Sequence, residues 1–281
     1  MQLVISQSHH KNQNYKFLPD DSQELFQTNQ KVLSKEWRFH YQDIDYNINK
    51  HGLRCEKEID EIDWKNAIVL VGCSQTFGVG LPYKETIGYK LEKKTNRPVI
   101  NLGTSGAGND ALFFNACSIQ KYKPFCTVVL WTYTQRLFFY KTENNGSVSF
   151  ITTHNYKDCP YDLDLTEYLI QGHDLTGKLN LYQTILEDLL QDKYLSNLDV
   201  TKETKVWHKL WAEKNMIEYK NLPLNFLKNI KFINECQARD LCVTQKGSTT
   251  GHFGFFQTDI ISDNILSDYK AKTGTTLCIK S

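Results

Sequence analysis

The sequence lacks an excess of charge of either sign, and it lacks any long apolar run. Its 281 residues include 33 Lys and Arg against 32 Asp and Glu, and its pI is near 7.6. A protein that binds nucleic acid over a broad surface needs a net basic field, so we expect no nucleic-acid partner. Because no run of about 18 apolar residues occurs, we also expect no membrane span.

Cysteine pairs at metal-binding or redox spacing are missing as well. The chain has 8 cysteines, but none form a C-x-x-C pair and several lie in apolar runs. We interpret them as reduced, mostly buried thiols, and we expect no disulfide framework and no zinc site. The N-terminal stretch has no basic start and only a short apolar run, so the sequence predicts no secretory signal. We therefore expect a cytoplasmic location.

The N-terminal part of the chain differs in composition from the rest. Residues 1–65 are polar and uneven, and one helix is predicted near 21–34. Four aromatic side chains in this extension need buried surroundings: Trp37, Phe39, Tyr41 and Tyr46. We therefore expect the extension to pack on a main domain that spans residues 66–281. The sequence gives no prediction of the oligomeric state.

The main domain alternates predicted strands with predicted helices. Apolar runs predict strands at 67–71, 98–103 and 127–132, and helical spacing predicts helices between them at 86–96 and 109–122. Strands joined by crossover helices lie parallel, so this alternation predicts an α/β fold with a parallel sheet. Further helices are predicted within 163–195, over 204–215 and from about 254.

Small and polar residues follow the carboxyl ends of the predicted strands. A ligand site of a parallel sheet lies outside these ends. Here the ends carry residues 72–74, 103–108 and 131–136, and the C-terminal loop with His252 is expected to join them. The sequence therefore predicts a cleft at this edge of the sheet.

Phosphate binding is one chemistry that such loops support. A P-loop requires G-x-x-x-x-G-K-[ST], but the sixth position counted from Gly72 is Phe77. The dinucleotide pattern G-x-G-x-x-G also fails in the loop Gly103–Gly108. An anion or nucleotide site without a named motif stays open, because glycine-rich loops that enter helices can bind anions.

Acyl transfer is the second chemistry, and it needs a nucleophile, a base and oxyanion donors. Ser74 follows a strand at a turn into a helix, so its hydroxyl can be exposed and its own N–H can donate. Gly106, in the neighbouring loop, can offer a second N–H. The alternative interpretation of Ser74 is a helix N-cap, and that of Gly106 is a turn glycine with positive φ.

The segment VGCSQTFGVG resembles block I of the SGNH (GDSL-type) hydrolases, G-D-S-x-T-x-G. Gly72, Ser74, Thr76 and Gly78 match this block, and Cys73 replaces its aspartate. VINLGTSGAGND is similar to block II, TVVLWTYTQR stands in the place of block III, and ARDLCVTQKGSTTGHFG resembles block V. The G-C-S variant is similar to uncharacterised phage-encoded members of the family.

The resemblance implies a three-layer αβα sandwich of flavodoxin-like type and a serine hydrolase without a metal or cofactor. Ser74 would be the nucleophile, His252 the base and Asp240 the carboxylate that orients it. Gly106 and Gln135 would complete the oxyanion hole with the N–H of Ser74. Arg136 is a candidate for holding an acidic substrate group. The expected substrate is a small-molecule or glycan ester, for example an O-acyl group on a carbohydrate or lipid.

Two departures from the family pattern leave alternatives open. Block III normally supplies Asn, whereas this chain has Gln135, and the nearby Asn109 is interpreted as a helix cap. Asp240 lies twelve residues before His252 (252 − 240) instead of about three. The catalytic group is then a Ser-Asp-His triad if the intervening loop bulges outward, and a Ser-His dyad if it does not. A noncatalytic binding module for a glycan or partner protein is the alternative function.

Overall fold

The computed structural model describes residues 12–134, 136, 138–142, 148–152, 175–197, 200–219, 228–243 and 249–279. Its strands are β1 (Gln13–Tyr15), β2 (Tyr46–Ile48), β3 (Ile68–Gly72), β4 (Val99–Gly103), β5 (Cys126–Leu130), β6 (Phe138–Thr142), β7 (Val148–Thr152), β8 (Tyr194–Asn197), β9 (Cys242–Val243) and β10 (Thr249–Thr250). Its α-helices are α1 (Gln23–Val32), α2 (Ser74–Phe77), α3 (Ile87–Thr95), α4 (Asn109–Ser118), α5 (Leu175–Leu190), α6 (Val200–Lys214), α7 (Ile230–Cys236) and α8 (Phe255–Thr273). Short 3-10 helices lie at Arg38–His40, Ile59–Glu61, Trp64–Asn66, Tyr83–Glu85, Ile119–Tyr122 and Gln191–Lys193.

The central sheet has four parallel strands in the order β4-β3-β5-β8. In the register of the sheet, Leu70 of β3 lies opposite Asn101 of β4 and Val128 of β5. Every residue of β3, β4 and β5 is buried, which explains why these strands appear in the sequence as nearly continuous apolar runs. The carboxyl ends of β3 and β4 coincide at Gly72 and Gly103, so the loops that follow them start side by side.

Helices cover both faces of the sheet, because successive side chains of a strand point to opposite faces. Val69 and Val71 of β3 lie in one apolar cluster with residues of α4 and α5. Ile68 and Leu70 lie in a second cluster, with residues of α3, α6 and α8. The fold is therefore a three-layer αβα sandwich around a parallel sheet, which confirms the predicted fold class.

A third apolar cluster joins the described N-terminal residues to the main domain. Trp37, Phe39 and Tyr46 are buried there together with Phe77, next to the end of β3. The expectation that Tyr41 is buried is wrong, because its side chain is 81% exposed. The division of the chain at residue 65 stays a prediction.

The predicted elements of the first half agree with the structure to within a few residues. The helix predicted over 109–122 is an α-helix only as far as Ser118 and continues as the 3-10 helix Ile119–Tyr122. Part of the predicted helical stretch 163–195 lies outside the described residues, and the described part contains α5. The prediction is wrong at its end, because Tyr194 and Leu195 belong to β8, the strand that pairs with β5 at the edge of the sheet. Among the described residues, no helix is both long and apolar enough to cross a membrane.

The C-terminal segment contains an element that the sequence did not predict. The strands β9 and β10 pair antiparallel, with Cys242 opposite Thr250 and Val243 opposite Thr249. They form the two arms of a hairpin: Cys242 starts β9 two residues after Asp240, and Thr250 ends β10 two residues before His252. The long spacing between these two residues is therefore taken up by a hairpin, which returns the chain to its starting point.

Candidate active site

The turn after β3 presents Ser74 at the start of the short helix α2. Gly72 has no space for a side chain, because an added Cβ would lie 1.9 Å from the Thr76 Oγ1. Cys73 is the N-cap residue in extended conformation and makes no capping hydrogen bond through its side chain. The N-cap interpretation of Ser74 is therefore wrong, since Ser74 is the first helical residue. The expectation that the turn exposes the Ser74 hydroxyl is also wrong, because only 3% of the residue is exposed.

The loop after β4 packs directly against this turn. The Thr104 N–H donates to the Gly72 carbonyl at 3.0 Å, and an added Cβ at Gly103 would lie 2.3 Å from the backbone N of Phe77. Gly106 has φ +80°, a backbone conformation that favours glycine. Among the described residues, the backbone N–H groups of Ser74 and Gly106 have no acceptor. Two neighbouring loops thus each offer one N–H donor.

Asp240 and His252 form a close pair beside these loops. The Asp240 Oδ2 lies 2.5 Å from the His252 Nδ1, and the Asp240 Oδ1 accepts the backbone N–H of His252 at 3.1 Å. Asp240 is buried, with 6% of the residue exposed, so its carboxylate is shielded from water and is not a surface acid. With Nδ1 held by a carboxylate, the proton lies on Nδ1 and Nε2 is the basic nitrogen of the neutral ring.

The pKa of His252 reflects two opposing effects. Burial favours the neutral imidazole and lowers the pKa, whereas the charge and the hydrogen bond of Asp240 raise it. Asp20 also raises the pKa of His252 through its charge, and Cys73 would do so in its thiolate form. The resulting pKa of His252 lies above its ordinary value of 6.5.

The two residues that flank Ser74, Cys73 and Gln75, lie near His252 and Phe253. The Gln75 Oε1 accepts the backbone N–H of Phe253 at 2.9 Å, and Cys73 lies close enough to act on the pKa of His252. Ser74 and His252 therefore belong to two segments that are joined at this point. Among the described residues, the Ser74 hydroxyl makes no hydrogen bond, so it is free to take one up with a substrate or with the ring.

A buried ion pair fixes the residue next to Asp240. The Arg239 Nε donates to the Asp21 Oδ1 at 3.1 Å, and the Arg239 Nη2 donates to the Asp21 Oδ2 at 2.6 Å. The Arg239 backbone N–H donates to the Gly80 carbonyl at 2.8 Å. The hydroxyl of Tyr46 accepts the Gly80 N–H at 2.8 Å and donates to Asp21. These four residues form a closed ring of hydrogen bonds.

Arg54 holds the turn that follows α2. Its Nη1 donates to the Gly78 carbonyl at 2.6 Å and its Nη2 to the Leu81 carbonyl at 2.6 Å. Its guanidinium lies 4.6 Å from the ring centroid of Tyr46. The side chain is 1% exposed, and burial lowers the pKa of Arg54 to about 10, so the group stays charged at neutral pH. No carboxylate pairs with it within the described residues.

The predicted third oxyanion donor, Gln135, lies outside the described residues. Asn109 is buried, and its amide clamps the chain after β5, because the Nδ2 donates to the Thr132 carbonyl at 3.1 Å and the Oδ1 accepts the Thr132 N–H at 2.9 Å. The interpretation of Asn109 as a helix cap is wrong, since the cap is Gly108. Arg136 is half-buried, and its guanidinium lies 5.1 Å from the Tyr133 ring. Its predicted role with an acidic substrate group stays a prediction.

The sequence did not single out the residues that support the site from the N-terminal part. Asp20 accepts a hydrogen bond from the Ser105 hydroxyl, next to Gly106, and Asp21 binds Arg239. Both acids precede Ser22, which caps α1. Acidic residues are common near helix N-termini for electrostatic reasons alone, so these two gave no specific signal.

No group of three metal-binding side chains is present in the described parts of the chain. The described cysteines are all free thiols, and Cys159 lies outside the described residues. Burial raises the pKa of the Cys126 thiol to about 12, so this cysteine has no thiolate character at neutral pH.

No protein-family model matches the sequence, and no curated protein matches it. One similar solved structure is that of a protein from Desulfitobacterium hafniense DCB-2 whose name places it in the G-D-S-L family of lipolytic proteins. The identity is 11% and the TM-score 0.33, over 73% of this chain and 99% of that chain. So distant a likeness says nothing about activity, which has to be inferred from the geometry of the site.

Proposed function

We propose that the protein is a serine hydrolase of SGNH type that cleaves a carboxylic ester through an acyl-serine intermediate. The observation that carries this proposal is the Asp240–His252 pair, whose Oδ2 and Nδ1 lie 2.5 Å apart beside the turn of Ser74. A buried carboxylate on Nδ1 leaves Nε2 as a base on the side of the ring away from Asp240. A triad, not a dyad, is the arrangement that these contacts support.

In the proposed cycle, the Ser74 Oγ attacks the ester carbonyl carbon while the His252 Nε2 takes the hydroxyl proton. The bond to the leaving oxygen breaks, and His252 returns the proton to the departing alcohol. Water then attacks the acyl-serine by the same route and releases the acid and free Ser74. The N–H groups of Ser74 and Gly106 are the proposed donors to the oxyanion in both halves of the cycle. Gln135 is the proposed third donor.

We propose that the substrate is an O-acyl ester of a carbohydrate or a lipid. This part of the proposal comes from the family resemblance. An acyl transfer that uses a serine, a histidine and backbone donors needs neither a metal nor a cofactor.

A fluorophosphonate probe tests the nucleophile directly. Attack by an activated serine forms an O–P bond and releases fluoride. We expect one adduct by intact mass in the wild-type chain, none in Ser74→Ala or His252→Ala, and an unchanged adduct in Cys73→Ala. The last variant is the matched control, because Cys73 is the neighbouring buried nucleophile. An adduct that persists in Ser74→Ala would overturn the assignment.

A noncatalytic binding module is the second candidate function. It is favoured by one observation: the Ser74 hydroxyl makes no hydrogen bond to His252 among the described residues. Catalytic hydrogen bonds are often absent before substrate binds, so this observation does not exclude catalysis. A well-folded wild-type chain that takes no fluorophosphonate label would favour this second function, and a glycan-binding screen would then follow.

A further inference from the structure

Two adjacent carboxylates of the N-terminal part contact the two loops that carry the proposed oxyanion donor and the proposed base. Asp20 accepts a hydrogen bond from Ser105, which precedes Gly106. Asp21 pairs with Arg239, which precedes Asp240. One short segment therefore holds both loops, although both belong to distant parts of the chain.

The Asp21–Arg239 pair is almost completely shielded from water. The side chains are 1% and 2% exposed, and two of the guanidinium nitrogens bind the carboxylate. Because Tyr46 and Gly80 close the ring of hydrogen bonds, the Arg239 backbone and side chain are both fixed. A buried ion pair contributes little to stability compared with apolar residues of the same size. Its geometric effect is to fix the position of the residue after Arg239.

We propose that Asp21 is a positioning residue for the base: through Arg239 it holds Asp240 against His252, so that residues of the N-terminal part complete the active site. This inference rests on the proposed function. Asp21 makes no hydrogen bond to Asp240 and holds it through Arg239, the preceding residue in the chain. Loss of Asp21 would therefore let Asp240 move away from the ring without removing any reacting group.

The charge of Asp21 gives the inference a distinctive signature. Asp240 is the charged partner in contact with His252, and Cys73 and Asp20 act on the pKa of His252 electrostatically. Removal of the Asp21 charge leaves the charge of Arg239 unpaired next to Asp240, and it frees Asp240 to leave the ring. Both effects favour the neutral imidazole, so the pKa of His252 falls.

The test is the rate of fluorophosphonate labelling of the full chain as a function of pH, in wild type and in Asp21→Asn. The matched control is Asp45→Asn, which removes another acid of the N-terminal part, whose ion pair with Lys16 is exposed. We expect Asp21→Asn to lower the limiting rate by roughly 10- to 100-fold, the size of effect that misplacement of a reacting group produces. We also expect the midpoint of the acid limb to shift to lower pH, and Asp45→Asn to change neither quantity.

A merely structural role of Asp21 would reduce the amount of folded protein and leave the pH midpoint of the remainder unchanged. Asp21→Glu keeps the charge and is expected to keep the wild-type midpoint. If Asp21→Asn does not fold, Tyr46→Phe removes one hydroxyl of the same ring and is expected to lower the rate in the same direction. If folded Asp21→Asn keeps the wild-type labelling rate and pH midpoint, this inference is overturned and the proposed function stands. If the wild-type chain is not labelled at all, the proposed function itself is overturned.

Discussion

Asp240 and His252 are twelve residues apart in the chain, yet the Asp240 Oδ2 lies 2.5 Å from the His252 Nδ1. The hairpin of β9 and β10 separates them in sequence and brings its two ends together in space. The Ala238 N–H donates to the His252 carbonyl at 3.1 Å, which ties the two ends a second time. An insertion at this point is compatible with the pair because antiparallel strands return the chain to where it left.

Substitution of Asp240 by Asn tests the orienting carboxylate. We expect hydrolysis of p-nitrophenyl acetate to fall about 100-fold or more, since general base catalysis contributes that much and an amide holds the ring in the wrong tautomer. Removal of the carboxylate leaves burial as the dominant effect on the ring, so the pKa of His252 should fall below 6.5. NMR titration of the ring measures this pKa. Asp259→Asn, an exposed acid that pairs with Lys94, is the control and should behave as wild type.

The pH dependence of the wild-type protein follows from the raised pKa of His252. Below this pKa the ring is protonated and cannot accept the Ser74 proton, so activity is lost as the pH falls through it. Because the pKa lies above 6.5, the acid limb of kcat/KM should have its midpoint above that pH. Initial rates with an ester whose leaving group does not titrate in this range measure the midpoint. A midpoint below 6.5 would contradict the assignment of His252 as the base.

Gly80, in the turn after α2, is a residue where a side chain is excluded on two grounds. Its φ is +72°, and an added Cβ would lie 2.8 Å from the Ala238 Cβ and 3.0 Å from the Asp240 Oδ1. We expect Gly80→Ala to lower the free energy of unfolding by about 2 to 4 kcal/mol, from backbone strain together with overpacking. Since the clash pushes on the Asp240 loop, the labelling rate of the folded fraction should fall as well.

The matched control for Gly80 is Gly274→Ala. Gly274 has nearly the same φ, +68°, but no atom lies within 4 Å of an added Cβ. Only backbone strain applies there, so we expect a loss of about 1 kcal/mol and an unchanged labelling rate. Urea unfolding gives both free energies. Equal losses in the two variants would show that the contacts with the Asp240 loop are not tight.

Arg54 supports the same turn from the other side. Arg54→Met removes the guanidinium donors to the Gly78 and Leu81 carbonyls. We expect the free energy of unfolding to fall by about 3 kcal/mol, because two hydrogen bonds from a charged donor are lost. The Gly78 carbonyl keeps the Leu81 N–H as a donor, whereas the Leu81 carbonyl has no other donor among the described residues. Urea unfolding is again the measurement. Lys50→Met, at an exposed pair with Asp60, should leave the unfolding midpoint unchanged.

The secondary structure of the main domain could be predicted because its signal is local. β3, β4 and β5 are fully buried, so each is an apolar run, and α3 and α4 bury one side each. Ser74 was placed correctly at a strand end, but its N-cap interpretation failed because the four-residue helix starts at Ser74 itself. The cap interpretation of Asn109 failed for a different reason: its partner, Thr132, belongs to the next strand end.

The sequence by itself determined three of the four strands of the parallel sheet, the helices between them and the residue types at the strand ends, since each depends on periodicity over a few residues. Only the tertiary structure decided that Asp240 meets His252, because the hairpin between them has no clear sequence signal. It alone also placed Asp21 against Arg239, 218 residues further along the chain. Such contacts depend on the burial of two charges in the same place, and that is a property of the packed chain, not of either segment.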